Sequence, residues 1–163
     1  MAATVQIIEK NGAGGTATDK TSGTIRFKNA DNATVDTSNP MVKPTSGTDY
    51  SFEKWLRMNV TGGSYTSISN IKAYSDGANG LGTGVGLFAK AVASYATPAE
   101  GTSTTGYANF FTYNAGSALS LGAGPFSGTG EKGDHCVMLM TVDSTATGGV
   151  TPSEAFTMAW DEI

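Results

Sequence analysis

Apolar and polar residues alternate in short runs, and turn-rich stretches separate those runs along the whole chain. Val5–Ile8 is a short apolar run, and Lys10–Gly23 (KNGAGGTATDKTSG) reads as a flexible loop rich in Gly and Thr. Ile25 and Phe27 alternate with Arg26 and Lys28, the period-2 pattern of a half-buried strand. Asn29–Thr48 is polar and holds Pro40 and Pro44. It is expected to be a long loop with at most one short edge strand around Thr34–Asp36.

The clearest pattern lies between Tyr50 and Gly77. Phe52, Leu56, Met58 and Val60 share one strand face, while Glu53, Arg57 and Asn59 share the other. Lys54 interrupts the apolar face near its start, where its head is expected to reach water. Trp55 interrupts the polar face. Ser67–Tyr74 predicts a second strand, joined to the first as a hairpin by the turn Thr61-Gly62-Gly63. Ile68 and Ile71 lie three apart, which fits a bulge or a helical turn better than a straight strand.

Val85–Val92 predicts a further strand, with Val85, Leu87, Ala89 and Ala91 on one face and Phe88, Lys90 and Val92 on the other. The Ala-rich stretch Leu87–Ala96 has a helical alternative. Phe110–Tyr113 and Leu119–Leu121 are shorter strand candidates. His135–Val142 is apolar on both faces, as a central strand covered on both sides would be. Phe156, Met158 and Trp160 alternate with Ala155, Thr157 and Ala159 in a closing strand. About eight strands between Gly, Pro, Asn and Asp turns give the fold class. It is all-β, a single-domain β-sandwich over 1–163, jelly-roll-like or immunoglobulin-like, with long Gly/Thr-rich loops. The predicted core is Phe52, Leu56, Met58, Val60, Met138, Met140, Phe156 and Trp160.

Composition narrows the function classes. Charged residues make up 15% of the 163 positions, against about 25% in ordinary globular proteins. Gly, Thr, Ser, Asn and Ala take their place. A neutral surface of that kind suits close contact with other protein, because few charges need desolvating; it also fits a loop-rich β protein with that compositional habit. Net charge is −4 and the basic residues are scattered, which argues against nucleic-acid binding. The single cysteine, Cys136, excludes an intrachain disulfide. MAATVQIIEKNG has neither the basic start nor the apolar stretch of a signal peptide, so folding in a cytoplasm is expected. No apolar segment approaches the roughly 20 residues of a membrane helix.

Candidate chemistry is sparse. His135 is the single histidine and stands beside Cys136, but adjacent strand residues point to opposite faces, so a nucleophile–base pair is not expected. The glycine clusters Asn11–Gly15 and Gly80–Gly86 look like phosphate loops, yet they lack the strand-to-helix context and the Gly-Lys-Ser/Thr that such loops need. Asp76–Gly80 could offer oxygens to calcium, but no bidentate Glu closes it; a tight turn with positive φ at Asn79-Gly80 is the simpler reading. Nothing local singles out a carboxylate pair for glycoside hydrolysis. Trp55, Tyr65 and Tyr74 are candidate partner contacts, as interface anchors or sugar-stacking platforms. For Trp55 the competing reading is burial beneath a long loop such as residues 29–48. No cofactor or metal is implied.

Five stretches carry a resemblance: Ser51–Arg57 (SFEKWLR), Ile68–Lys72 (ISNIK), Tyr74–Gly77 (YSDG), Gly84–Leu87 (GVGL) and Tyr95–Pro98 (YATP). With the closing Ala155–Glu162 (AFTMAWDE), they resemble structural proteins of tailed-bacteriophage virions, capsid decoration (cement) proteins in particular. The likeness covers under half of the chain and consists of strand-and-turn patterns. It implies a non-enzymatic protein on the virion's outer capsid surface, bound to the capsid protein and stabilising the shell. It also implies a homo-oligomer, with a trimer favoured, and no membrane or nucleic-acid partner. The alternatives are a neck or tail component of the virion, a carbohydrate-binding module using exposed Trp and Tyr, and, ranked last, a small hydrolase.

Overall fold

A computed structural model describes residues 2–149 and 153–163; Met1 and residues 150–152, which the single-domain span includes, lie outside the described residues. The strands are β1 (Ala3–Asn11), β2 (Thr16–Asp19), β3 (Thr48–Tyr50), β4 (Lys54–Gly63), β5 (Ile68–Tyr74), β6 (Val85–Val92), β7 (Ala108–Asn109), β8 (Leu119–Gly122), β9 (Gly130–Asp143) and β10 (Thr157–Glu162). They form two antiparallel sheets packed as a β-sandwich. The larger runs β2-β1-β4-β9-β6-β7, with β3 also paired to β9; the smaller runs β10-β5-β8.

The apolar run His135–Val142 sits in β9 at the centre of the larger sheet, as its two-faced pattern predicts. Cys136, Met138 and Met140 point into the sandwich, where they join Leu56, Met58 and Val60 of β4 and Leu87 and Ala89 of β6. Ile68, Ile71 and Ala73 of β5, with Leu121 and Met158, close the core from the smaller sheet. Phe156 and Trp160 are half-buried and pack against this cluster. Ile68 and Ile71 reach the same face through a bulge, because Asn70 takes a left-handed φ of 50° and the pairing with β8 and β10 slips nearby.

Several expectations are corrected. β4 and β5 are not a hairpin: Gly62 and Gly63 continue β4 against β1, and the chain then crosses to the other sheet. Burial outweighs a local turn signal here: β4 pairs with β1 and β9 in the larger sheet, and β5 with β10 and β8 in the smaller. Lys10–Gly23 contains the end of β1, a turn and β2. Ile25–Lys28 forms no strand and joins no sheet; residues 29–47 are a long loop without a strand, within the expectation for that stretch. Ile25 and Phe27 owe their periodicity to packing on the core without a ladder. The Ala-rich stretch is strand β6 as far as Val92, and Phe110–Thr112 is a 3-10 turn capped by the Asn109 side chain. Phe52 lies outside the core cluster; it is half-buried and bridges to Glu100.

Two irregular segments cover the larger sheet. Residues 20–47 lie over the end of its inner face, and residues 93–107 cross its outer face. The second segment is tied down where the Glu53 amide donates to the Ala99 carbonyl (3.0 Å) and the Gly101 amide to that of Ser51 (2.9 Å). Beneath it Trp55, Val137 and Leu139 are buried, so the middle of the sheet is enclosed on both sides.

Candidate functional site

The densest polar chemistry lies inside the molecule. On β1, Val5, Ile7, Glu9 and Asn11 share the inward face, by strict alternation. Glu9 pairs with Leu56 and Lys10 with Trp55, so the next position of the register sets Asn11 opposite Lys54. Glu9 and Lys54 have no solvent exposure, and Lys20, Lys28 and Asn11 are buried beside or near them. The Lys54 ammonium donates to Glu9 Oε1 (3.0 Å) and to the Asn32 carbonyl (2.9 Å). Asn11 Nδ2 donates to the same Glu9 Oε1 (3.3 Å) and to Asp31 Oδ1 (2.8 Å). Lys20 Nζ sits 3.8 Å from Glu9 Oε2 and donates to the carbonyls of Thr24 (3.1 Å) and Ala33 (2.6 Å). Lys28 Nζ donates to the Thr34 carbonyl (3.1 Å) and Asp36 Oδ1 (3.0 Å).

The physical reason is the covering segment. Residues 20–47 have no ladder to satisfy their carbonyls, and buried carbonyls need donors. Three lysines supply them, and Glu9 with Asp36 balances part of the charge. The Lys28 hydrogen bond holds the Asp36 carboxyl below its ordinary range. The head of Lys54 therefore does not reach water, contrary to the expectation from its place near the strand start.

The opposite face holds an aromatic cluster. Trp55 meets Tyr95 edge-on with centroids 5.3 Å apart and His135 at 5.4 Å. Trp55 is 3% exposed, and its Nε1 donates to Glu53 Oε2 (2.9 Å). It thus has no free face for a sugar or a partner, and the segment covering it is 93–107 rather than 29–48. The Tyr95 hydroxyl donates to the Gly12 carbonyl (2.6 Å), linking that segment to the β1–β2 turn. The Tyr107 hydroxyl donates to Glu53, and the Lys90 ammonium stands 3.9 Å from the Tyr107 ring centroid. Burial, followed by that hydrogen bond, pushes the Tyr107 phenol far up.

His135 Nδ1 lies 3.1 Å from the Val92 carbonyl, which can only accept, so Nδ1 carries the proton. Nε2 is buried and has no hydrogen-bond partner among the described residues. Burial lowers the imidazole's affinity for a second proton; the Val92 contact opposes this, while Arg57 and Lys10 add to it. Cys136 faces the core instead, and burial pushes its thiol up to about 12. The two side chains sit on opposite faces of one strand and cannot act as a nucleophile and its base.

Tyr65 is half-buried, and its hydroxyl donates to the Gly128 carbonyl; Tyr74 is half-buried at the end of β5. With Trp55 buried on the larger sheet, the three predicted contact residues form no common platform. At Asp76–Gly80 the side-chain oxygens serve the turn: Asp76 Oδ1 accepts from Ala78 N (2.9 Å) and Asn79 Oδ1 from Leu81 N (3.0 Å). Positive φ falls at Gly77, Gly82 and Gly84, not at Asn79-Gly80. Among the described residues no cluster of His, Cys, Asp and Glu has the makings of a metal site. A cleft of about 400 Å³ opens between the inner sheet face and the segments 20–27 and 153–156. Its lining combines apolar Leu87, Met138, Met140 and Phe110 with the charged Lys20, Arg26 and Glu154.

The surface is short of free cations and predominantly acidic: of the fourteen carboxylates only Glu9 is buried. Of the ten basic side chains, Lys20, Lys28 and Lys54 are buried, and Lys10, Arg57 and Lys90 pair with Glu131 or Glu53. Arg26, Lys43, Lys72 and Lys132 make no ion pair among the described residues. None of the buried polar residues was singled out from sequence as functional. The available signal was charge in phase with the apolar face, Glu9 after Val5 and Ile7, and Lys54 before Leu56. Comparison with family models, with curated proteins and with solved structures returned no match.

Proposed function

We propose that this chain is a non-enzymatic structural protein of a tailed-bacteriophage virion, seated on the outer capsid surface as a decoration protein. The observation that carries the reading is where the charge lies. A chain already poor in charge places three of its lysines inside and pairs three more basic residues, so free cations are few on a surface rich in Thr, Ser, Gly and Asn, while thirteen of its fourteen carboxylates stay unburied. Docking such a surface against protein desolvates few cations. Long irregular segments pinned by buried lysines offer shaped, non-ionic contact surfaces at little entropic cost on binding. The strand-and-turn resemblance of Ser51–Arg57, Ile68–Lys72, Tyr74–Gly77, Gly84–Leu87, Tyr95–Pro98 and Ala155–Glu162 to virion proteins supports the same reading. Repeated weak contacts across neighbouring capsomers would add through effective concentration and stabilise the shell.

The test is cosedimentation of the purified chain with undecorated capsids of the virion whose genome encodes it. Saturation at a fixed ratio to the capsid protein is expected, with a trimer by native mass. Absence of capsid binding overturns the decoration role, and a hexamer moves the placement to neck or tail. The carbohydrate-binding alternative loses its main platform with Trp55 enclosed.

A further inference from the structure

Lys54, Glu9 and Asn11 form a constellation that the proposed docking role does not use. Among the described residues, Glu9 is the one carboxylate whose single oxygen binds both a lysine ammonium and a side-chain amide. Lys54 and Asn11 are cross-strand neighbours by the continued register of β1 and β4, and Glu9 stands one inward position along from Asn11. Lys54 and Glu9 are fully enclosed, and Asn11 is 8% exposed. Asn11 Nδ2 is held between the Glu9 and Asp31 carboxylates, while its Oδ1 is buried without a partner among the described residues.

The geometry points to an intramolecular amide bond between Lys54 Nζ and Asn11 Cγ, formed within the folded chain with Glu9 as the proton carrier. Glu9 takes a proton from the Lys54 ammonium along their 3.0 Å hydrogen bond, leaving a neutral amine and a neutral acid. The Nζ lone pair bonds to Asn11 Cγ. Glu9 hands its proton to Nδ2, the Cγ–Nδ2 bond breaks, and Nδ2 leaves as ammonia. The surplus proton on Nζ passes through Glu9 to the departing ammonia, so one ammonium ion is lost and Glu9 returns to its carboxylate form. No oxidant or cofactor enters the balance.

Two features favour this outcome over a lasting ion pair. Positioning two reactants on adjacent strands makes the step unimolecular. Enclosure excludes the water that would compete for the amide. Lys20, the other lysine near Glu9, is drawn away by the Thr24 and Ala33 carbonyls. The product would tie the first strand covalently to the middle of the sheet.

The test is the intact mass of the purified full chain under denaturing conditions, followed by fragmentation of a protease digest. The expected mass is lighter than that of the sequence by one ammonia, with a branched peptide joining the segments that hold Asn11 and Lys54. Glu9→Gln and Lys54→Arg should each restore the full mass. Lys54→Arg keeps a cation beside Glu9, so a folded variant that cannot form the bond remains available if Glu9→Gln fails to fold. Asn11 precedes Gly12, and closure to a cyclic imide there would also lose one ammonia. Loss that persists in Lys54→Arg therefore assigns the imide and overturns the proposal, as does a wild-type mass equal to that of the sequence.

Discussion

Glu9 Oε1 and Lys54 Nζ meet 3.0 Å apart across β1 and β4, with neither residue exposed to solvent. They stand where the apolar faces of both strands would otherwise continue, and they turn that end of the interior into an anchor for residues 20–47. In an Asn11→Ala background, where Lys54 stays a free ammonium, Glu9→Ala leaves both Lys54 and Lys20 without their carboxylate. Breaking a buried pair from one side costs about 3–5 kcal/mol, so a loss of at least that size in chemical denaturation is expected. The paired replacement Glu9→Leu with Lys54→Met should cost clearly less, because no charge is left stranded. Equal losses in the two variants would show that the pair's charge is not what holds the segment.

His135 predicts one window of pH dependence. Its folded-state proton affinity lies below the ordinary 6.5, first because of burial. The unfolded chain then binds the extra proton more readily than the folded one. Stability is complete above 6.5, falls as pH drops below 6.5 towards the depressed folded value, and levels off beneath it. Arg57, Lys10 and Glu131 are the charged groups that bear on the ring. Burial raises Glu131, but Lys10 and Arg57 outweigh it, so its carboxyl lies below the ordinary 4.5. Its contribution is present above 4.5 and is lost as pH falls through the depressed value, giving a second and lower window. Urea titrations should show stability declining in wild type from 6.5 downward, and declining further below the ordinary carboxyl range as Glu131 and the other depressed carboxyls, Asp19, Asp36 and Asp143, take up protons. His135→Phe should remove the decline that begins at 6.5 and leave the carboxyl-dependent loss in place.

Trp55 is expected to behave as a core residue. In a Trp160→Phe background its fluorescence should resist acrylamide, since the segment 93–107 encloses it. Trp55→Ala should destabilise by about 3–5 kcal/mol, the usual range for removing a buried aromatic. A spectrum quenched strongly by acrylamide or by a polysaccharide would reopen the sugar-binding reading.

The sequence carried the sheet interior well and its coverings poorly. Leu56, Met58, Val60, Met138 and Met140 were legible because a half-buried or central strand writes its environment into a period of two. Trp55 looked exposed because that same period assigns it to the polar face, and periodicity cannot report a distant segment laid across the face. Glu9 and Lys54 were each in phase with apolar neighbours, yet nothing local says that the two strands are adjacent. Their pairing became visible only with the β1–β4 register. The apparent hairpin at Gly62-Gly63 failed for a related reason: glycine permits a turn without requiring one, and here it continues a strand.

Gly133 provides the sharpest local test of how the two sheets meet. Between Leu56 and Met58 the partner on β9 moves from Cys136 to Lys132, so β9 bulges across this point. Gly133 sits in the bulge at φ 67°, and a Cβ there would lie 2.4 Å from the Leu121 carbonyl oxygen of the smaller sheet. The Gly133 carbonyl also accepts from Arg57 Nε (2.8 Å), which ties the bulge back to β4. Gly133→Ala therefore adds a clash with backbone to the strain of a left-handed residue. Gly128→Ala is the control: its φ is also 67°, but a Cβ there meets nothing within 4 Å. Left-handed strain alone costs about 1–2 kcal/mol, so the control should lose about that much. Gly133→Ala should lose distinctly more in the same thermal or chemical denaturation. Equal losses would mean that the sheets separate freely at the bulge, and that β8 does not press on β9 there.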